Sequence, residues 1–145
     1  MCAIFGTNKI KLFDELYELN HRRGGFAFSS TWINKYTSTL SITEGEYKGF
    51  IIPGADYILA HDQAPTSSIR EFSTNTSHPF RCGKWNVAHN GVLTNHIDLI
   101  PNHTCEVDSS YIPVLLDKLT GECKDNEYET QIVAIEQVCS KLEGT

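Results

Sequence analysis

The spacing of apolar residues changes along this chain, and that change limits its fold more than any other feature. In the first sixty residues they come in short runs rich in aromatic and β-branched side chains: Ala3-Ile4-Phe5, Phe26 to Ile33, Tyr36 to Thr43 and Tyr57-Ile58-Leu59-Ala60. Such runs, bounded by turn residues, read as strands, and Asn34-Lys35 between the second and third marks a hairpin. Between Lys11 and Asn20, Leu12, Phe13, Leu16 and Leu19 recur at three and four, the spacing of an amphipathic helix that His21-Arg22-Arg23-Gly24-Gly25 ends. Beyond Pro101 the spacing is helical. Ile112, Leu115, Leu116 and Leu119 follow a cap at Asp108 or Ser109. Ile132, Val133, Ile135, Val138, Cys139 and Leu142 follow one at Asp125 or Asn126. Strands early and helices late describe an α+β fold, and 145 residues suffice for a single domain spanning 1–145.

The middle of the chain departs from both patterns. From His61 to Gly83, Ser, Thr, Asn and Pro dominate without periodicity, so this stretch reads as a long functional loop. Trp85 to Ala88 returns to strand, His89-Asn90-Gly91 turns sharply, and Thr94 or Asn95 caps a short helix through Leu99.

Net charge of −6 argues against a nucleic-acid surface, which needs a basic patch. No apolar run reaches membrane-spanning length and no charged-then-apolar leader opens the chain. Five cysteines, odd in number and without a CxxC pair, fit a reducing cytoplasm better than a disulfide framework. His89, His96 and His103 fall seven apart, but Pro101 interrupts any helix that would align them, so neither a metal nor another cofactor is expected.

Three places carry candidate chemistry. Cys2 follows the initiator methionine. Once Met1 is removed, the residue holds a thiol and a free α-amine, and an α-amine titrating at about 7.7–8.0 can serve as the thiol's base. The apolar run behind Cys2 would hold it at a strand end. Asn90-Gly91 is either a plain turn or an oxyanion hole, with the Asn90 amide and the Gly91 N–H donating to one developing charge. Asp108 is either a helix cap or a carboxylate for a substrate ammonium.

In order, these pieces resemble the glutaminase domain of class II glutamine amidotransferases, within the N-terminal-nucleophile hydrolases. Met1-Cys2-Ala3-Ile4-Phe5-Gly6 is similar to that family's opening, and His21-Arg22-Arg23-Gly24 to its arginine-glycine turn. Ala60-His61-Asp62-Gln63-Ala64-Pro65-Thr66 resembles its substrate loop, which ends in a segment like Asn75 to Phe80. Ala88-His89-Asn90-Gly91 with Asn95 is the best match, and Val107-Asp108-Ser109 resembles its serine-flanked aspartate. The resemblance covers nearly the whole chain and implies an αββα sandwich, shortened at the C-terminus. It further implies that Cys2 attacks the side-chain amide of glutamine, while Asn90 and Gly91 stabilise the tetrahedral intermediate. Asp108 would bind the substrate α-amine, His61, Gln63 and Thr66 would line the site, and Arg23 with Gly24 would brace the nucleophile's strand. Ammonia would pass to a synthetase on another chain.

The chain departs from the family in four ways. Ala3 replaces a glycine, and the aspartate expected after the arginine-glycine turn is missing. Gln63 stands where the family has an arginine for the glutamine carboxylate, a role open to Arg70 if the loop folds back. The chain also stops at Thr145, about where a further strand is expected, as in a reduced protein of the kind small viral genomes carry, or one whose edge awaits a partner. These departures keep two alternatives open: a binding or decoy protein on the same scaffold, and an amidase for γ-glutamyl or peptide-linked substrates.

Overall fold

The computed structural model describes residues 2–35, 37–44, 47, 49, 54–64, 73, 75–121 and 128–145. Within them the chain is a mixed α and β protein of two compact units, Met1–Pro79 with Ala88–Asn90, and Phe80–Val87 with Gly91–Thr145. No helix among the described residues is long and apolar enough to cross a membrane.

The first unit is built on an antiparallel sheet of β1 (Ala3–Thr7), β2 (Ala27–Ile33), β3 (Ser38–Glu44) and β4 (Tyr57–Gln63), in the order β1-β4-β2-β3. The register sets Ala3 and Phe28 opposite Asp62, Phe5 opposite Ala60, and Trp32 opposite Ile58. Side chains alternate across a strand, so these residues share one face. Against that face packs α1 (Phe13–Asn20), flanked by 3-10 turns at Ile10–Leu12 and His21–Arg23. Ala3, Phe5, Phe13, Tyr17, Phe28, Trp32, Tyr47, Ile58 and Ala60 form the core. Phe13 sits at its centre, with ring centroids 5.6 Å from both Phe5 and Trp32. Two polar contacts are buried here: Trp32 Nε1 donates to Ser30 Oγ at 2.8 Å, and the Tyr47 N–H donates to the Tyr17 hydroxyl at 3.1 Å.

Of the stripe expected, Phe13 is buried and Leu16 packs against the core, but Leu12 and Leu19 do not, and Tyr17 takes part instead. Phe13 and Tyr17, one turn apart, are buried, while Leu12 and Leu19 are 43% and 71% exposed. Leu12 belongs to the 3-10 turn, whose three residues per turn rotate it off the α-helical face. The hairpin at Asn34-Lys35 is present, closed by Thr37 N–H donating to Asn34 Oδ1 at 2.7 Å.

A second difference matters for the site. β4 runs on through His61, Asp62 and Gln63, which the polar sequence had suggested were loop. Asp62 is buried on the core face, and its Oδ1 accepts the Gly25 N–H at 3.0 Å. Gly24 sits so close that an added Cβ would lie 2.3 Å from Asp62 Cγ and 2.6 Å from the Asp62 backbone carbon. A Gly24→Ala variant should therefore lose about 1–3 kcal/mol of stability by overpacking, read as a lowered urea midpoint at unchanged slope.

In the second unit, β5 (Phe80–Cys82) and β6 (Trp85–Val87) form a hairpin turned by Gly83 at φ 53°. The helices α2 (His96–Leu99), α3 (Tyr111–Gly121) and α4 (Tyr128–Cys139) follow. Leu93, Ile112, Leu116, Ala134 and Val138 make its core, with Trp85, Val87 and Leu142 packed against them. On α4 only Ala134 and Val138 are buried, while Ile132, Val133 and Ile135 are 38%, 48% and 41% exposed. The apolar content of that helix thus exceeds the face it buries. The cap expected at Asp125 or Asn126 lies outside the described residues.

The chain's last residues pair with the segment after Gly91. Leu93 bridges Gly144 in antiparallel fashion, and Val92 and Thr145 exchange N–H···O bonds of 3.0 and 3.1 Å. Asn95 does not use its side chain as a helix cap. Instead its amide donates to the Lys141 carbonyl at 2.7 Å and accepts the Glu143 N–H at 3.1 Å, pinning this return.

Candidate functional site

Cys2 stands immediately before β1, half-buried. Ala3 and Phe5 point into the core, so alternation assigns Cys2 and Ile4 to the opposite face of the sheet. That face is polar yet largely buried where it crosses β4 and β2. Ser29 and His61 are paired across the strands and are 5% and 2% exposed. Gln63, paired with Ala27 two residues further along β4, is 9% exposed.

The segment before Pro79 lies over this row. Ser29 Oγ donates to the His78 carbonyl, and the His78 and His61 rings lie with centroids 4.4 Å apart, tilted by 36°. Among the described residues, His61 Nδ1 and Ser77 Oγ are buried without a hydrogen-bond partner. A buried polar atom left unsatisfied is costly, and such atoms mark places where water or a ligand completes the structure.

Burial pushes the His61 imidazole down from 6.5 to about 4. Between those values the unfolded chain binds a proton that the folded chain refuses. The contribution is therefore complete above pH 6.5 and drains away as pH falls towards 4. From pH 7.5 to 5.0, about 1.5 units of this window are crossed, worth about 2 kcal/mol. Urea unfolding at the two pH values should show that loss in the wild type, and His61→Gln should remove it. An equal loss in the variant would assign the pH dependence to other groups.

Asn90 reaches Cys2 from far along the chain. Its Nδ2 donates to the Cys2 carbonyl oxygen at 3.2 Å. No residue other than glycine takes a positive φ among the described residues, so Asn90 is not used for left-handed backbone. Its side chain does the work here, holding the residue that bears the thiol. Asn90 itself is exposed, and Gly91 follows it in the chain, also exposed.

The remaining candidates fall as follows. Arg23 is exposed in the 3-10 turn, and Gly24 behind it abuts Asp62. Thr66, like Arg70, lies outside the described residues. Asp108 belongs to the second unit and opens a 3-10 turn, Asp108–Ser110, ahead of α3. Val107 occupies the cap position there, and no side-chain cap forms. The Asp108 carboxylate accepts the Leu93 N–H at 2.5 Å and the Ser109 hydroxyl at 3.4 Å, so it fixes the segment after Gly91.

Sequence reasoning missed Asp62, Ser29, Ser77 and His78. Asp62 supplies a carboxylate to the turn at Gly24-Gly25, where no acid follows in sequence. It does so from a neighbouring strand, a position that becomes legible only with the β2–β4 register. Among the described residues no group of three or more His, Cys, Asp or Glu is placed to hold a metal ion. Compared with protein-family models and with curated proteins, the chain matches none.

Proposed function

We propose that this chain is an amide hydrolase of the N-terminal-nucleophile type, with the glutaminase-like αββα architecture, acting on the side-chain amide of glutamine. The observation that carries this reading is the Asn90 Nδ2 to Cys2 carbonyl hydrogen bond, which brings a side-chain donor to the residue bearing the thiol. An amide nitrogen has two protons, so one can hold Cys2 while the other is available to a substrate oxygen.

With Met1 removed, the free α-amine of Cys2 takes the thiol proton and the sulfur attacks the amide carbon. The C–N π-conjugation is lost, and negative charge gathers on the former carbonyl oxygen, where the second proton of the Asn90 amide would meet it. The ammonium of Cys2 then returns its proton to the leaving nitrogen as the C–N bond breaks, releasing ammonia and leaving a thioester. Water, deprotonated by the same amine, attacks the thioester. The C–S bond breaks, the thiol is restored, and the product is the γ-carboxylic acid. Ammonia so produced would serve a separate synthetase.

The test is direct. Protein shown by intact mass to begin at Cys2 should release ammonia and γ-carboxylate product in equal amounts from L-glutamine or an α-carboxyl-blocked derivative. Protein retaining Met1 should release neither, because its amine lies one residue away. Failure of the Cys2-initiated protein on both substrates would end the proposal.

A further inference from the structure

The face of the sheet that carries Cys2 has a chemical character that bears on what is cleaved there. Ile4, His61 and Ser29 form one row across β1, β4 and β2. The β1–β4 register, continued one residue beyond the Ala3–Asp62 pair, sets Cys2 opposite Gln63. Residues so opposed have Cβ atoms about 4.5–5.5 Å apart and share a face. A glutamine whose amide carbon meets the Cys2 sulfur has its α-carbon roughly 4 Å farther along, three carbon–carbon bonds away. Its α-substituents therefore fall among the groups that flank Cys2 on this face.

Among the described residues, those that share this face of β4 and β2 are neutral. Gln63 offers a carboxamide. His61, 2% exposed, offers a ring nitrogen that has no hydrogen-bond partner among the described residues. Burial keeps the imidazole uncharged at neutral pH. No lysine or arginine stands at any position of β1, β2 or β4, on this face or the other. A carboxylate placed here would shed its water without a charge-assisted partner, whereas a carboxamide can both donate to and accept from these neutral groups.

We propose that the site takes glutamine whose α-carboxyl is not free, an α-amidated or peptide-linked glutamine recognised through Gln63 and His61. This rests on the amide-hydrolase reading above and specifies its substrate class. Peptide-linked glutamine differs from the free amino acid only beyond the α-carbon, so the thiol chemistry at Cys2 is unchanged.

The experiment compares L-glutamine with L-glutaminamide on Cys2-initiated wild-type protein, reading ammonia and, for the second, isoglutamine as product. The expected kcat/KM is at least tenfold higher for L-glutaminamide. In Gln63→Arg, checked for cooperative unfolding, the ratio should move at least tenfold toward L-glutamine, since a guanidinium restores bidentate binding of a carboxylate. Because Gln63 is buried and the arginine could fail to fold, the wild-type ratio decides by itself. Faster cleavage of L-glutamine by the wild type would overturn the substrate assignment while leaving the amide-hydrolase reading intact. A preference for L-glutamine lost in Arg70→Gln would overturn it too, placing the carboxylate's cation on Arg70. Release from neither substrate would overturn both.

Discussion

Cys2→Ala is expected to lower amide hydrolysis by at least about a thousandfold, with stability changed by no more than about 0.5 kcal/mol. Both halves follow from where the residue sits. In the proposed mechanism the thiol supplies the bond that makes the thioester, and none of the other described cysteines lies near the start of β1. Cys105 and Cys139 belong to the second unit, and Cys82 lies in its hairpin. Cys2 is half-buried and absent from both core clusters, so trimming it to alanine removes no packing from them. The measurement pairs initial rates of ammonia release with urea unfolding of the same preparations. An alanine variant as fast as the wild type would take the sulfur out of the mechanism. An alanine variant that is slow but also unfolded would show only that the position is structural.

Asn90→Ala should follow, with kcat down roughly 100- to 1000-fold, the loss of about 2.7–4 kcal/mol that accompanies removal of one oxyanion donor. The effect belongs in kcat rather than KM, because the charge that Asn90 meets exists in the transition state and not in the bound amide. Asn90 also holds the Cys2 carbonyl, and this second role predicts a difference between substitutions. Asn90→Asp keeps the shape of the side chain but brings a negative charge toward both the carbonyl and the developing oxyanion. It should be at least as damaging as alanine. Near-wild-type turnover in Asn90→Asp would show that the side chain matters for shape alone. Steady-state kinetics on the three proteins separates these results.

Much of the first unit was legible from residue order. The runs at Ala3-Ile4-Phe5, Phe26 to Ile33 and Tyr57 to Ala60 became β1, β2 and β4, and the turn at Asn34-Lys35 joins β2 to β3. Periodicity worked there because each run buries one face and is bounded by turn residues. It failed at His61-Asp62-Gln63, where the strand continues through polar residues. A polar strand face is stable when neighbouring segments supply partners. Here the Gly25 N–H donates to Asp62 and the His78 ring packs against His61, from positions far apart in sequence. The stripe on α3 held, with Ile112 and Leu116 in the core, while that on α1 was only partly right for a related reason. Tyr17 displaced Leu19 from the core because its ring fills the space beside Phe28 while its hydroxyl accepts the Tyr47 N–H. For Asp108 and Asn95, residue type correctly suggested side chains that bind backbone. Which backbone they would bind, Leu93 in one case and the 141–143 return in the other, depends on tertiary pairing that no local pattern encodes.

The unsatisfied nitrogen of His61 also gives the protein a spectroscopic voice of its own. Its imidazole stays uncharged through the neutral range, so its nitrogen-15 resonances should hold still when pH is varied around 7, while those of solvent-facing rings drift. A molecule that donates a proton to Nδ1 would move that resonance alone. Occupancy beside the thiol could then be followed in a Cys2→Ala protein by magnetic resonance, with no turnover required and no label beyond the histidine itself.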